Sequence, residues 1–478
     1  MIERKYKLKR TKVVATIGPS CMSKKTIRKM ILAGMNICRL NFSHCKHVDA
    51  EQIISIVSEL NEELNLNVGL LGDLQGPKLR IGAVNNNNYL TKNNEIIIQE
   101  GFEASNNETL FIPHPNIIND LKAGEKILLD DGKIILKVVR IIEAGVVCII
   151  IQGGELSANK GFNLPNSTLS IPTMTKKDHS DLLFCIKHNI EWIALSFVRN
   201  GSDMVKLRQI LKSHQSDSKL IAKIEKPEAI KNLKSIISNS DALMVARGDL
   251  GIEVPTQKVP VLQKKIVRAS RKKAKPVIIA TQVMESMTQN LSPTRAETND
   301  AANAVFDGAD ALMLSGETSV GKYPVKVVRT ISKIIIDVEA SDERRAFNKF
   351  LPFKSDKRYI SDSICYQASE IASQVGAKAI IAFTASGYNA QKISSNRPNS
   401  HICVFTHNRT LLNRLSLLWG VIGFYYNKFE STDNAIQDTQ DILKNCNIIK
   451  SGEFVINIAS IPIKEKGMTN MLKLKKID

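Results

Sequence analysis

Short runs of β-branched and apolar residues recur along the chain, each followed by polar or glycine-containing punctuation and then usually by a helical pattern. They fall at 13–17, 37–42, 68–73, 192–197, 220–225, 242–246, 277–281 and 311–314. Eight is the number of strands a (β/α) barrel requires. Between them, 23–33 reads as a helix closed by Gly34 just past its end, and Pro324 suits the first turn of a helix running to about Glu339.

The barrel pattern breaks once, after Asp73-Leu74-Gln75-Gly76-Pro77. From there the chain alternates strands (95–99, 126–129, 134–139, 146–151) with tight turns at Asp131-Gly132 and Gly153-Gly154, and 85–88 is a loop. This predicts an all-β insertion ending near Ile171-Pro172. An insertion on a βα loop lies on the face of the barrel where active sites sit, so a lid is expected. A charged stretch around 341–357 reads as a linker, and strands at 379–384, 402–406 and 454–458 beyond it predict a separate α/β unit. The expected fold is therefore a TIM (β/α)8 barrel with an inserted all-β lid and a C-terminal α/β domain. Its boundaries are 1–76 and 171–345 for the barrel, 77–170 for the lid and 346–478 for the last domain.

Chemistry gathers at the strand ends. Residues two apart on a strand share a face, so Arg39, Asn41 and Ser43 project together from the second run, and Lys223 and Glu225 from the fifth. Asp73 ends the third, Arg247-Gly248-Asp249 follows the sixth, Thr281 ends the seventh and Ser315-Gly316-Glu317 the eighth. Charges buried among apolar residues are costly unless partnered, and charges ending most strands at once exceed what a structural network needs. Glu225 and Asp249 offer hard oxygen ligands suited to Mg²⁺. Arg39 and Lys223 can neutralise phosphoryl oxygens. Gly248 allows close backbone approach, and a helix starting there would turn free N–H groups toward an anion. Thr281 could position a water or a substrate carbon. The combination reads as metal-assisted chemistry on a small phosphorylated carboxylate.

Composition narrows the class without changing that reading. The 478 residues are 43% hydrophobic and 24% charged, which excludes wholesale disorder. No apolar run approaches the length of a membrane span. The basic start (Arg4, Lys5, Lys7, Lys9, Arg10, Lys12) leads into a strand rather than a long apolar segment, so no signal peptide is expected. Eight scattered cysteines without a C-x-x-C read as reduced thiols, consistent with a cytoplasmic protein. Net charge is +19, but outside the N-terminal run and Lys473, Lys475 and Lys476 the cations are interspersed with acids, and aromatics are only 5%. Stacking platforms for nucleic acid are therefore poorly supplied. The cluster Ser43-His44-Cys45-Lys46-His47 lacks the second ligand pair a zinc site needs. Residues 316–322 match most of a P-loop, but Tyr323 replaces the Mg²⁺-binding hydroxyl and Pro324 follows, so a nucleotide-binding role is rejected.

The stretches TKVVATIGPS (11–20), MNICRLNFSH (35–44), GDLQGPKLR (72–80), AKIEKPEA (222–229), MVARGDLGIE (244–253), ATQVMESM (280–287), 292–318 and TASG (384–387) closely resemble the pyruvate kinase family, across essentially the whole chain. The resemblance implies Mg²⁺- (or Mn²⁺-) dependent phosphoryl transfer from phosphoenolpyruvate to ADP, giving pyruvate and ATP, by a homotetramer. By position, Glu225 and Asp249 would bind Mg²⁺, and Lys223 with Arg39 would stabilise the phosphoryl in flight. The amides of Gly248 and Asp249 with Thr281 would hold the carboxylate, and Thr281, Ser315 and Glu317 would lie on the enolate protonation route. Arg80 and the lid residue Lys160 would meet nucleotide or transferring phosphate, with Pro19, Asn41 and His44 near the nucleotide. Asn41, Ser43, Asp73 and the Leu74 carbonyl would form a K⁺ pocket. Members that need K⁺ carry Thr, Lys and Glu where this chain has Leu74, Gln75 and Lys78, and the Lys78 ammonium could take the cation's place, so K⁺-independent activity is expected. Thr384, Ser386 and Gly387 resemble the family's effector loop, with Asn389 replacing the usual hydroxyl, which implies a sugar-phosphate or nucleotide effector. Another Mg²⁺-dependent barrel enzyme using phosphoenolpyruvate is the enzymatic alternative.

Overall fold

The computed structural model describes residues 9–85, 88–167, 170–341, 350–352, 357–428, 431–461 and 468–478. Most of the expected linker, 342–349 and 353–356, lies outside them. Eight parallel strands close into one barrel: Lys12–Thr16, Ile37–Asn41, Gly69–Asp73, Trp192–Leu195, Lys219–Ile224, Ala242–Ala246, Val277–Ala280 and Ala311–Leu314. They pair in chain order, and the first closes on the last with Lys12 opposite Ala311. Each is buried on both faces, which is why the sequence shows continuous apolar runs rather than alternation. Side chains that point inward, among them Val14, Ile37, Leu71, Trp192, Ile221 and Ile278, pack with Leu417, which the C-terminal unit contributes. Those that point outward pack against the helices, including Lys24–Ala33 with Ser23 as N-cap and Gly34 at φ 119°, and Pro324–Ala340.

Five strands end one or two residues earlier than the apolar pattern predicts, and at two of them the backbone supplies the reason. The fourth stops at Leu195 because Phe197 turns to φ 54°, and the seventh stops at Ala280 because Thr281 and Gln282 turn to φ 65° and 53°. Positive φ breaks strand geometry, and for bulky or β-branched residues it is rare. Both elbows lie at the barrel's C-terminal rim.

The insertion folds on its own apolar core, which includes Ile96, Ile98, Leu129, Leu136, Val146 and Phe162. Its six-stranded sheet has the order Phe162–Asn163, Lys126–Leu129, Ile134–Ile142, Gly145–Gln152, Glu95–Glu100, Thr109–Ile112, and Tyr89–Leu90 pairs separately with Gly154–Glu155. The strands of two to four residues that the sequence reading missed are too short to show alternation. The C-terminal unit is a five-stranded sheet in the order Val421–Tyr425, His401–Thr406, Ala379–Phe383, Phe454–Ala459, Met471–Lys476, the last antiparallel. The segment bearing Lys473, Lys475 and Lys476 is thus an edge strand, where lysines discourage further pairing.

Part of the basic N-terminal run is structural rather than solvated. The backbone N–H groups of Arg10 and Thr11 each donate to Glu339 at 2.7 Å, and the Arg10 carbonyl accepts from Gly420 N at 2.9 Å. Lys12 Nζ is buried and donates to the Val421 carbonyl at 2.8 Å. Burial pushes this lysine down to about 8, against the pull of Glu339 and Asp310. These bonds fasten the first strand and the end of the 324–340 helix to the C-terminal sheet. No helix among the described residues is long and apolar enough to cross a membrane.

Candidate active site

At the C-terminal rim the strand-end charges meet in a buried chain of alternating sign. Arg39 donates to Asp73 Oδ2 through Nε at 2.8 Å and Nη2 at 2.7 Å, and through Nη1 to Thr16 Oγ1 at 2.7 Å. Lys223 Nζ lies 3.2 Å from Asp73 Oδ1 and 3.2 Å from Glu225 Oε1, and donates to Ser196 Oγ at 2.7 Å. The side chains of Arg39, Asp73, Lys223 and Glu225 are 7%, 1%, 12% and 1% exposed, so every charge depends on its partner. Five neighbouring strands converge here, and their parallel order brings residues 16, 39, 73, 196 and 223 to the same rim.

Each group's protonation follows from these contacts. Burial opposes ionisation of Asp73, but Lys223 and Arg39 outweigh it and hold the carboxyl below its ordinary value. Burial likewise opposes the Lys223 ammonium, and Asp73 and Glu225 overcome it, so the lysine stays charged well above neutrality. Glu225 is pushed up, first by burial and also by the Asp249 carboxylate, against Lys223 and the Phe197 amide that donates to its Oε2 at 2.7 Å. A carboxylate kept in that state gains from a nearby cation. Asp249 Oδ1 lies 3.4 Å from Lys78 Nζ. Among the described residues there is no cluster of three or more metal-ligating side chains. Glu225 and Asp249 are the two carboxylates that the sequence led us to expect as ligands of Mg²⁺, an ion that keeps waters and substrate oxygens in the rest of its shell.

The seventh and eighth strands supply the second half of the site. Gly248 N–H donates to Thr281 Oγ1 at 2.7 Å, and the Thr281 hydroxyl donates to the Ala280 carbonyl at 2.6 Å. The Gly248 amide, expected from the sequence to be free for an anion, is therefore already engaged. Arg247 braces the elbow, donating to the Thr281 and Gln282 carbonyls at 3.0 and 3.2 Å and pairing with Asp300 at 2.6 Å. Glu317 accepts from Ser315 N at 2.6 Å and Met284 N at 3.1 Å, while burial, the larger influence, raises its carboxyl above the usual value. Ser315 Oγ is buried with no hydrogen-bond partner among the described residues.

Other residues singled out from the sequence make their contacts outside this cluster, although Asn41 lies opposite Asp73 in the register of the second and third strands. Arg80 pairs by backbone with Gly161 and donates to the Asn159 carbonyl at 2.8 Å, and Lys160 Nζ lies 3.0 Å from Asp130, so both are held by lid atoms. Pro19 and His44 are exposed, and Asn41 Oδ1 accepts from Ser43 N at 3.3 Å. Ser386 and Gly387 border a cavity of about 220 Å³ with Trp192 and Lys219, at the opposite end of the barrel. The sequence reading missed Ser196 and the Phe197 amide. Their signal was present, a serine near the end of the fourth apolar run, at the position where other strands carried functional groups.

Comparison with known proteins agrees with this geometry. The family model for the pyruvate kinase barrel domain matches residues 8–328, and that for the pyruvate kinase alpha/beta domain matches 362–475. Pyruvate kinase from Corynebacterium glutamicum is 40% identical over 465 residues, 97% of each chain. The Staphylococcus aureus enzyme is 38% identical over 98% of this chain and 80% of its own length. A pyruvate kinase structure from Cryptosporidium parvum superposes with a TM-score of 0.91 at 31% identity, covering 98% of this chain and 97% of that one. On the two family models and on relatedness along nearly its full length, the chain belongs to the pyruvate kinase family.

Proposed function

We propose that this chain transfers the phosphoryl group of phosphoenolpyruvate to ADP at the Arg39–Asp73–Lys223–Glu225 cluster, with Mg²⁺ held by Glu225 and Asp249 and without a requirement for K⁺. The observation that carries the reading is Lys223 triangulated by Asp73, Glu225 and Ser196. When bound, the divalent ion neutralises phosphoryl oxygens as a Lewis acid. Lys223 and Arg39 add two fixed positive charges where negative charge spreads in the transition state. Asp73 favours the charged form of Lys223 and, through its contacts to both cations, keeps Lys223 and Arg39 aimed. The bond from the enol oxygen to phosphorus breaks as a terminal oxygen of ADP bonds to phosphorus. The enolate then takes a proton at its methylene carbon, and Thr281, Ser315 and Glu317 are the groups suited to hold or relay it. A pyruvate-formation assay titrated with phosphoenolpyruvate, ADP and Mg²⁺ tests the assignment. Pyruvate released without ADP would favour a different phosphoenolpyruvate-using enzyme.

Three contacts support K⁺ independence. The Leu74 carbonyl accepts from Ser196 Oγ at 2.7 Å, both Asp73 oxygens face cations, and Lys78 sits beside Asp249. A monovalent ion at the Asp73 and Leu74 oxygens would compete with Arg39, Lys223 and Ser196 for them, so replacing K⁺ by tetramethylammonium at constant ionic strength is expected to change kcat less than about twofold. A tenfold loss, about 1.4 kcal/mol, refutes it.

The C-terminal cavity supports an effector role. Lys219, Arg358 and Arg414 line it beside Ser386, Gly387 and Tyr388, a lining that offers cations to a phosphate alongside the carboxylate of Asp241. Asn389 contributes nothing outward, since its Nδ2 donates to the Phe383 carbonyl at 2.8 Å. A sugar phosphate or nucleotide is expected to change the rate at subsaturating phosphoenolpyruvate, and Arg414→Met is expected to blunt that response. The homotetramer is read from the family and is checked by light scattering.

A further inference from the structure

The elbow that ends the fourth barrel strand contains two residues that hold the reactive groups of the neighbouring strand. Ser196 is 1% exposed, and its hydroxyl makes two bonds: it accepts from Lys223 Nζ at 2.7 Å and donates to the Leu74 carbonyl at 2.7 Å. A hydroxyl has a single proton. With that proton committed to Leu74, the oxygen lone pairs are turned to the lysine, so the hydroxyl acts as an oriented acceptor. The next residue, Phe197, has φ 54°, a conformation in which a bulky side chain persists only where its surroundings over-determine it. That turn aims the Phe197 amide at Glu225 Oε2, 2.7 Å away. Gly76 lets the elbow close, because a Cβ there would lie 2.9 Å from the Ser196 Cβ and from the Phe197 ring.

The consequence for Lys223 is geometric. Its two carboxylate neighbours are each 3.2 Å away on the third and fifth strands, and attraction between point charges has little directional preference. An ammonium on a four-carbon stem could settle closer to either. The shorter bond to Ser196 comes from a third strand, and three contacts from three strands locate the nitrogen.

We propose that Ser196 is a positioning residue for phosphoryl transfer, holding the Lys223 ammonium in place through its bond to the Leu74 carbonyl, while the adjacent Phe197 amide holds Glu225. The inference rests on the assignment of Lys223 made above, and Lys223→Met is assayed alongside so that the two fail separately. In Ser196→Ala, kcat falls at least tenfold while KM for phosphoenolpyruvate changes less than threefold, because the bond shapes the transition state rather than ground-state binding. Ser196→Thr, which keeps the hydroxyl, is at least fivefold faster than Ser196→Ala. If the alanine variant fails to fold, as judged by a lost cooperative thermal transition, Ser196→Cys takes its place, since a thiol preserves volume but accepts weakly. The inference is overturned if the alanine or cysteine variant retains more than a tenth of wild-type kcat, if KM rises threefold or more, or if threonine gives less than a fivefold gain over the serine-lacking variant. An active Lys223→Met would instead overturn the assignment of the lysine.

Discussion

Lys223→Met is expected to lower kcat at least about 10³-fold, the scale on which a single cation at a transferring phosphoryl acts. Methionine keeps the length and apolar character of the lysine stem, so the barrel wall stays filled. What disappears is a charge that Asp73 and Glu225 favour against the effect of burial, raising the lysine above its ordinary value. The same substitution leaves two carboxylates facing each other with one fewer cation. Removing one partner of a buried ion pair costs about 3–5 kcal/mol, so a lowered thermal midpoint is expected with the lost turnover. The two effects separate on binding, because Arg39 remains anchored to Asp73 and Thr16. Calorimetric titration with phosphoenolpyruvate should therefore still show an interaction, weaker by less than the loss in kcat. Turnover within tenfold of wild type would remove Lys223 from the chemistry.

Asp249→Ala is the second large effect. Asp249 is partly exposed and among the described residues it pairs only with Lys78, at 3.4 Å, so its removal is expected to cost less than about 1 kcal/mol of stability. Its catalytic cost should be far greater, on the order of 10²–10³ in kcat, as for loss of one electrostatic anchor of a transition state. The Mg²⁺ concentration for half-maximal rate should rise with that loss. It should also rise in direct binding of Mn²⁺ followed by electron paramagnetic resonance, which does not depend on turnover. Losing one carboxylate removes one of the influences that push Glu225 up, so the remaining ligand becomes easier to ionise even as the donor set shrinks. Unchanged kinetics and unchanged Mn²⁺ binding together would place the metal elsewhere.

The barrel was legible because its strands are buried on both faces, and such strands appear in a sequence as unbroken apolar runs. The ends of those runs were legible for the same reason: Arg39, Asp73, Lys223, Glu225 and Glu317 are the polar residues that interrupt them. The resemblance of the motifs to one family then assigned chemistry that spacing alone left open. Three features were not legible. Strands such as Phe162–Asn163 are two residues long and carry no period. Lys12 reads as part of a solvated basic run, and only the C-terminal sheet beneath the barrel shows it to be buried. The Gly248 amide looks free in the sequence because the hydroxyl that occupies it belongs to Thr281, on the next strand.

Local pattern thus determined which residues line the rim, since side-chain direction along a strand follows from its period of two and needs no knowledge of neighbours. Which of those residues touch was decided only by the order and register in which the strands pair. Asp73 is the clearest case: in the sequence it is one acid at a strand end, a candidate ion ligand, and in the structure it is the shared counter-ion of Arg39 and Lys223. The cause is that charge pairing in a buried site depends on separations of a few ångströms between residues 34 to 150 positions apart, fixed by the register of parallel strands around a closed ring.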